Sequence, residues 1–371
     1  MPEVQDVINE YVRINGNVEV FNTPQFKAFN SILNCRTSAM GAHMNQCNNC
    51  DNLEISYNSC RNRHCPKCQT LKKEQWINKQ QQYLLNEQYF HVVFTIPDNL
   101  NGIIIQNQQK MYNVFFKAVS QTLIELAADQ KYLGAKIGIT TVLHTWGQNL
   151  MYHPHIHCII PAGGLDHRGK WRKSKKKFFM PVRVLSKLFR GKFLSLMKEE
   201  ELIFTGKIKK LEQPVNIDSL MTHLYQKDWV VYCKKPFKSA THVINYLGRY
   251  THRVAITNNR ILKIQDGMVT FKMRDYKDSN KLKHLTITIN EFVRRFLLHI
   301  LPSRFHKIRH YGLLASRDKS ARITACKKLT ATPIIPFAPK EAFDILKEIL
   351  GHDFNKCPKC DVGKLGLHSP P

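Results

Sequence analysis

The chain has 371 residues, 43% of them hydrophobic, so it can bury a sizeable core and has room for two or three domains. Lys and Arg number 56 against 28 Asp and Glu, and the resulting formal charge of +28 indicates a phosphate-rich partner, with nucleic acid the first candidate. No long apolar span, no inserting basic amphipathic helix and no secretion signal is found, so we expect a cytoplasmic protein rather than a secreted or membrane protein.

The first chemically distinctive segment is residues 35–68, which hold six of the eleven cysteines and few apolar residues. Cys-x-x-Cys pairs in a chain without a secretion signal indicate metal ligation rather than disulfides, and a segment with so little core needs a metal to fold. Two such pairs predict one tetrahedral zinc site, with the ligands Cys47, Cys50, Cys65 and Cys68. The residues interleaved with these pairs are candidates for a second zinc, or else buried thiols and surface histidines: Cys35, His43, Cys60 and His64.

The elements that follow alternate between helical and strand-like patterns. The stretch 71–88 has helical spacing, "YFHVVFTIP" is a strand pattern, and residues 100–135 are again helical. "KIGITTVLHTW" and "HIHCIIPAGG" are two strands able to pair as a hairpin. A helix near 184–200 precedes a strand in "DWVVYCKKP" and a helix in "SATHVINYLGRYTHR", for which Ser239 is a possible N-cap.

The last third of the chain begins with a hairpin pattern around Asp266 and Gly267. The strand "HLTITI" follows, and then a helix that stops at Pro302. This order lacks a strict βαβ rhythm and predicts an α+β fold with a mainly antiparallel sheet flanked by helices. We divide the chain into a cysteine-rich domain with its helices at 1–90, a catalytic domain at 91–335, and a C-terminal helix with a small appendage at 336–371.

The appendage contains a single Cys-x-x-Cys pair, Cys357 and Cys360. One pair supplies half of a zinc site, so a complete site there needs two further ligands. His352 and Cys326 are the candidates that the sequence offers.

The histidines of "HPHIHCII" recur at the period of a β-strand, so His155 and His157 project from one face and can chelate a metal. The alternative is a pair of hydrogen-bonded core histidines. Gln148 is our first candidate for a third ligand, with His144 and His153 as rivals. An amide ligand and open coordination positions would suit Mg²⁺ or Mn²⁺ acting on phosphate.

Two tyrosines, Tyr246 and Tyr250, are four residues apart, which on a helix places both hydroxyls on one face. Such a pair usually reflects core packing when it occurs alone. Here Arg249 and Arg253 surround it in a very basic chain, which favours chemistry on DNA.

These motifs resemble those of a known family. "HPHIHC" is similar to the HUH motif (His, hydrophobic, His) of rolling-circle nucleases, and "YLGRYTHRVAI" resembles the two-tyrosine motif of the insertion sequence 91 family of transposases, bacterial relatives of the Helitrons. "NSCRNRHCPKCQ", "LHTWGQNL" and "EFVRRFLLHILP" also resemble family segments, in family order. The resemblance implies an HUH nuclease domain with His155 and His157 as metal ligands, Tyr246 and Tyr250 as nucleophiles, and a transposase zinc-binding domain before it.

Such a protein would nick and rejoin single-stranded or hairpin transposon ends. A tyrosine attacks the phosphate, leaving a 5′-phosphotyrosine and a free 3′-OH, and a pair of tyrosines permits two strand transfers. No helicase motif is present, so we expect a host helicase and replication machinery to take part, with the protein acting at the nucleoid. Basic residues near these motifs are candidate DNA contacts, or else a solvated cationic face: Arg61, Arg63, Lys67, Lys175, Lys176, Arg249 and Arg253.

Two other functions are compatible with the same residues. A rolling-circle replication initiator or a relaxase would share the nuclease chemistry. A zinc-dependent DNA-binding regulator would use the histidines and tyrosines only for packing, and would leave no protein–DNA adduct that resists denaturant.

Overall fold

The computed structural model describes residues 1–16, 21–174, 180–237, 242–243, 246, 248, 254–275 and 278–367. The helices of these residues that are bounded at both ends are α1 (Val4–Asn15), α2 (Thr23–Leu33), α3 (Gln69–Gln81), α4 (Asn101–Gln106), α5 (Gln108–Ala128), α6 (Val182–Lys198), α7 (Pro214–Gln226), α8 (Ile289–Leu297), α9 (Lys319–Leu329) and α10 (Ala342–Leu350). None of the described helices combines the length and the apolar character that crossing a bilayer requires.

The described strands are β1 (Ala42–Cys47), β2 (Leu53–Tyr57), β3 (Tyr89–Thr95), β4 (Gly138–Trp146), β5 (Tyr152–Pro161), β6 (Gly163–Leu165), β7 (Trp171–Lys173), β8 (Val231–Phe237), β9 (Ile261–Gln265), β10 (Met268–Asp275), β11 (Lys281–Thr288), β12 (Ile308–Gly312) and β13 (Leu365–Leu367). They form four sheets in which all pairings are antiparallel. The predicted α+β class is confirmed.

A five-stranded sheet in the order β12-β4-β5-β3-β8 forms the centre of the molecule. β4 and β5 are the predicted hairpin, and β3 lies on the other side of β5. Alternate residues of these strands, such as Phe94 and Ile156, are fully buried in a large core with the phenylalanines of α5 and α6. Because successive strand residues point to opposite faces, the histidines of the same strands lie on the other face of the sheet.

A second antiparallel sheet, β9-β10-β11, follows the tyrosine motif. The predicted hairpin turn is present, and both Asp266 (φ 50°) and Gly267 (φ 71°) have the positive φ that this tight turn requires. The inner face of this sheet packs on α8, where the rings of Phe271 and Phe292 meet edge to face at 5.8 Å. α1 and α2 complete this second core, so the N-terminal helices pack with residues of the last third of the chain.

The C-terminal segment is not a separate appendage. β13 pairs antiparallel with β1, which also pairs with β2, and α10 packs against α3. The predicted boundary at residue 336 therefore separates parts that are contiguous in space. The three-residue strand β13 is too short to be stable alone and gains its hydrogen bonds by pairing with β1.

Candidate active site and cysteine clusters

Three histidines converge on the open face of the central sheet. His144 on β4 is directly opposite His155 on β5, and His157 is two residues further along β5. One ring nitrogen from each lies within 4.8 Å of the others. The Nδ1 of His155 is 2.7 Å from the carbonyl oxygen of His153. A carbonyl can only accept, so Nδ1 carries the proton and Nε2 is the atom with ligand character.

The grouping favours His144 as the third ligand over Gln148, our first candidate, and over His153. Gln148 lies in the loop after β4, where its backbone carbonyl accepts a hydrogen bond from Arg260. The side chain of His144 is 2% exposed. The hairpin was predicted, but its register, which places His144 directly across from His155, was not readable from the sequence.

A fourth histidine, His91 on β3, joins this cluster to a tyrosine. Its Nε2 is 2.9 Å from Nδ1 of His157, and the two rings are stacked. The hydroxyl of Tyr246 lies 3.1 Å from each ring nitrogen of His91. The sequence analysis missed His91, although a histidine inside the otherwise apolar "YFHVVF", in a strand preceding the histidine hairpin, was a usable signal.

The segment that carries Tyr246 rests on the sheet and on α3. Val243 is fully buried against Ile159, with Tyr246 and Trp76 packed around them. At Gly248, an added Cβ would come within 2.1 Å of Cδ1 of Ile77 in α3, so any other residue here would have to displace the Ile77 side chain. The other residues predicted in or near this motif lie outside the described residues: Ser239, Arg249, Tyr250 and Arg253. So do Lys175 and Lys176.

The loop between β4 and β5 is held by side chains of the second core. Three successive carbonyls accept hydrogen bonds: that of Gln148 from Arg260, that of Asn149 from Arg295 at 2.9 Å, and that of Leu150 from Nε2 of His299 at 3.0 Å. Burial lowers the pKa of His299 to about 4, so its ring is neutral at pH 7. Leu150 has φ +62°, a conformation that L-residues adopt only under such constraint.

The cysteines form two clusters, and neither has the predicted membership. The first cluster is Cys35, Cys60, Cys65 and Cys68. Sulfur–sulfur distances of 3.6 Å (Cys35–Cys68), 3.7 Å (Cys60–Cys68) and 3.7 Å (Cys35–Cys65) approach the edge of about 3.8 Å that a tetrahedron with Zn–S bonds of about 2.3 Å would have. These distances are far too long for disulfides and suit one zinc ion.

The second cluster is Cys47, Cys50, Cys357 and Cys360. The predicted pairing of Cys47 and Cys50 with Cys65 and Cys68 is therefore wrong. Cys47 and Cys50 lie at the turn of the β1-β2 hairpin, and β2 leads the chain away from this turn before it reaches Cys65. His43 is an exposed strand residue, and the Nε2 of His64 accepts from the backbone N–H of Leu301 at 3.4 Å. Neither histidine belongs to a cluster, nor does either proposed partner of the C-terminal pair, His352 or Cys326.

Two of the predicted DNA contacts are engaged inside the protein. Arg63 donates to the carbonyls of Leu301, Pro302 and Phe305, and so ties the first cysteine cluster to the segment after α8. Lys67 forms an ion pair with Glu3 at 2.5 Å and a hydrogen bond with Gln5 at 2.7 Å. These contacts give both side chains a structural role, whereas Arg61 is exposed.

Comparison with known proteins identifies the family. Residues 4–96 match the family described as "Transposase zinc-binding domain", and residues 138–321 match the family described as "Putative transposase". A relative from Sinorhizobium fredii (strain NBRC 101917 / NGR234), named "Putative transposase y4qJ", is 41% identical and covers 100% of this chain and 97% of its own length.

The transposase for insertion sequence element IS801 of Pseudomonas savastanoi pv. phaseolicola is 27% identical over 89% of this chain and 80% of that protein. A structure of the conjugative relaxase TrwC with mutant OriT DNA aligns with 42% of this chain and 70% of its own, at 13% identity and a TM-score of 0.25. The resemblance seen in the sequence is confirmed: this chain belongs to the insertion sequence 91 family of HUH transposases.

Proposed function

We propose that this transposase nicks and rejoins single-stranded transposon ends through a phosphotyrosine bond to Tyr246. One observation carries the proposal: the Tyr246 hydroxyl contacts His91, and His91 contacts His157 of the three-histidine cluster. A nucleophile must lie beside the group that activates the phosphate, and this line of contacts joins the two.

His144, His155 and His157 would hold the catalytic divalent ion. When bound, such an ion polarises the scissile phosphate and stabilises the charge on the leaving oxygen. With His144 in place of Gln148 the donor set consists of three imidazole nitrogens, which favours Mn²⁺ over the oxygen-seeking Mg²⁺. Nicking should accordingly need less Mn²⁺ than Mg²⁺ for the same rate.

His91 would stabilise the deprotonated form of the nucleophile. If His157 coordinates through Nε2, its proton is on Nδ1 and donates to Nε2 of His91, 2.9 Å away. A neutral His91 then holds its own proton on Nδ1, from which it can donate to the oxygen of Tyr246. That hydrogen bond stabilises a phenolate, the attacking group in cleavage and the leaving group in rejoining.

The bonds balance without a high-energy cofactor. The Tyr246 hydroxyl gives its proton to water and its oxygen forms a bond to phosphorus as the P–O3′ bond breaks, and the released 3′ oxygen takes up a proton from water. One phosphodiester replaces another, so its energy is conserved and a free 3′-OH can reverse the step. Tyr250 would serve as the second nucleophile for the other strand transfer.

The single-stranded DNA would approach the active site over the outer face of the β9-β10-β11 sheet. Cross-strand register places Lys263, Lys272 and Arg274 on this face, and we call them the outer-face cations. Among the described residues of the three strands, this face carries no carboxylate. Arg260 bonds both the carbonyl of Lys272 and the loop of the histidine hairpin, so the cationic face adjoins the active site. We expect a host helicase to supply the single strand at the nucleoid.

The decisive experiment uses tyrosine variants. Wild type, Tyr246→Phe, Tyr250→Phe, the double variant and the control Tyr225→Phe are incubated with labelled single-stranded ends and Mn²⁺. Tyr225 is 59% exposed on α7, so its hydroxyl can be removed without touching the site. Tyr246→Phe should form at least tenfold less denaturant-resistant adduct than the control on an isolated end. Wild-type adduct from Tyr246→Phe, or from the double variant, would overturn the role of Tyr246.

A further inference from the structure

We propose that Cys47, Cys50, Cys357 and Cys360 bind a second Zn²⁺, which fastens the end of the chain to the zinc-binding domain. The matched zinc-binding domain covers residues 4–96 and so contains only half of these ligands. Cys50 and Cys357 are 307 residues apart in the chain. The proposal rests on cysteine geometry and does not depend on the function of Tyr246.

The sulfur geometry is that of a metal site. Cys47 and Cys360 have sulfurs 3.7 Å apart, as do Cys50 and Cys357. The edge of a ZnS₄ tetrahedron is about 3.8 Å, whereas a disulfide has sulfurs about 2.05 Å apart. All four sulfurs lie within 4.8 Å of one another, which is the convergence that coordination of one ion requires.

The backbone of the two Cys-x-x-Cys turns matches as well. The residue after the second cysteine of each turn has nearly the same left-handed conformation, with φ 54° at Asp51 and φ 53° at Asp361. Backbone N–H groups point at the sulfurs: Asn49 donates to Cys47 at 3.4 Å, and Gly363 donates to Cys360 at 3.3 Å. Such donors stabilise thiolates, the form that coordinates zinc.

The fit of the two halves is close enough to require a particular residue. A Cβ on Gly363 would come within 2.3 Å of the Cys47 sulfur, so only glycine allows the C-terminal turn to lie on the N-terminal one. Two hydrogen bonds join Asn48 and Lys364. The backbone N–H of Asn48 donates to the carbonyl oxygen of Lys364 at 3.1 Å, and the backbone N–H of Lys364 donates to Oδ1 of Asn48 at 2.8 Å. The two turns are thus built as one site from opposite ends of the chain.

The second zinc would also brace α3. Cys357 follows α10, which packs on α3, while Cys68 of the first cluster is the N-cap residue of α3. Ile77 of the same helix meets the tyrosine segment at Gly248. Both metal sites therefore fix the helix on which the tyrosine segment rests.

The test is the zinc content of the full-length protein by elemental analysis. Wild type should contain two zinc ions per chain, and Cys357→Ser/Cys360→Ser should contain one. The matched control Cys233→Ser, which changes a cysteine of β8 outside both clusters, should keep two. A wild type with one zinc, or a double variant that still holds two, would overturn the proposal.

A second measurement needs no variant, so misfolding cannot obscure the result. Wild-type protein is alkylated with and without a chelator, and each cysteine is followed by peptide mass spectrometry. Cys357 and Cys360 should be protected together with Cys47 and Cys50, and all four should become reactive together when zinc is removed. Fast alkylation of Cys357 and Cys360 in the untreated protein, or a disulfide between any of the four, would contradict the second site.

Discussion

The hydrogen bonds that hold the carbonyls of the β4-β5 loop, called here the clamp, can be tested by replacing two adjacent arginines. Arg295 donates to the carbonyl of Asn149 at 2.9 Å and to Glu291 at 2.7 Å, and its side chain is only 16% exposed. Arg294 also binds Glu291, but its side chain is 56% exposed and points its guanidinium at Glu291 alone among the hydrogen bonds of the described residues. Arg295→Leu and Arg294→Leu thus remove the same charge, and only the first releases the loop.

The expected difference follows from the hydrogen bond to Asn149. A hydrogen bond from a charged donor contributes about 1.5–3 kcal/mol, whereas an exposed ion pair contributes about 0.2–1 kcal/mol. The loop joins the strands that carry His144 and His155, and Leu150 within it is strained. If the lost energy appears in metal binding, Arg295→Leu should weaken Mn²⁺ affinity by about 10- to 100-fold, and Arg294→Leu by less than about fivefold.

Mn²⁺ binding would be measured by calorimetry and the nicking rate by titration with Mn²⁺, while thermal unfolding checks the fold. Raising Mn²⁺ should restore nicking by Arg295→Leu, because the defect lies in affinity. Equal Mn²⁺ affinities for the two variants would show that the clamp does not position the histidines.

Three further changes test other parts of the structure. Burial lowers the pKa of His299 from 6.5 to about 4, so as pH falls the unfolded chain takes up a proton on this histidine before the folded protein does. About 3 kcal/mol of folding stability that is present above pH 6.5 should therefore be lost as the pH falls to 4. Denaturant unfolding at pH 7 and pH 4.5 should show a smaller loss for His299→Gln, and an unchanged loss would refute the assignment. Alanine at all three outer-face cations should lower the affinity for single-stranded DNA and make the slope of log affinity against log salt shallower by up to about 0.7 per lost phosphate contact. An unaltered slope would show that the DNA does not bind on this face. Gly248→Ala should slow adduct formation by displacing the tyrosine segment from α3, and adding Ile77→Ala should restore the rate; no rescue would mean that this contact is not the cause.

The local elements were predictable where the pattern was local. The period of two in "HPHIHCII" placed His155 and His157 on one face because strand geometry alone fixes that relation. The turn at Asp266 and Gly267 was equally local, since positive φ at two successive positions selects those residues. The tyrosine motif was recognisable by its resemblance to a family, and Tyr246 lies beside the histidine cluster through His91.

Relations between distant parts of the chain were not predictable. Cys-x-x-Cys spacing shows that two sulfurs can share an ion but not which second pair completes the site, so Cys47 was grouped with its neighbour in sequence rather than with Cys360. His144 outranked Gln148 only once the cross-strand register was known. Arg63 looked like a phosphate contact because its carbonyl partners are about 240 residues away in the chain, with Pro302 at a separation of 239.

The three hydrogen bonds of Arg63 also affect the distance between a recognised DNA sequence and the cut. They anchor the segment that carries the first cysteine cluster, called here the cysteine module, to the segment after α8. The module therefore cannot rotate on a hinge without breaking bonds from a half-buried guanidinium. Any base sequence read by the module would then be held at a constant distance from Tyr246. The protein would act as a ruler, in which the number of nucleotides between the recognised sequence and the cut phosphate is a property of the fold.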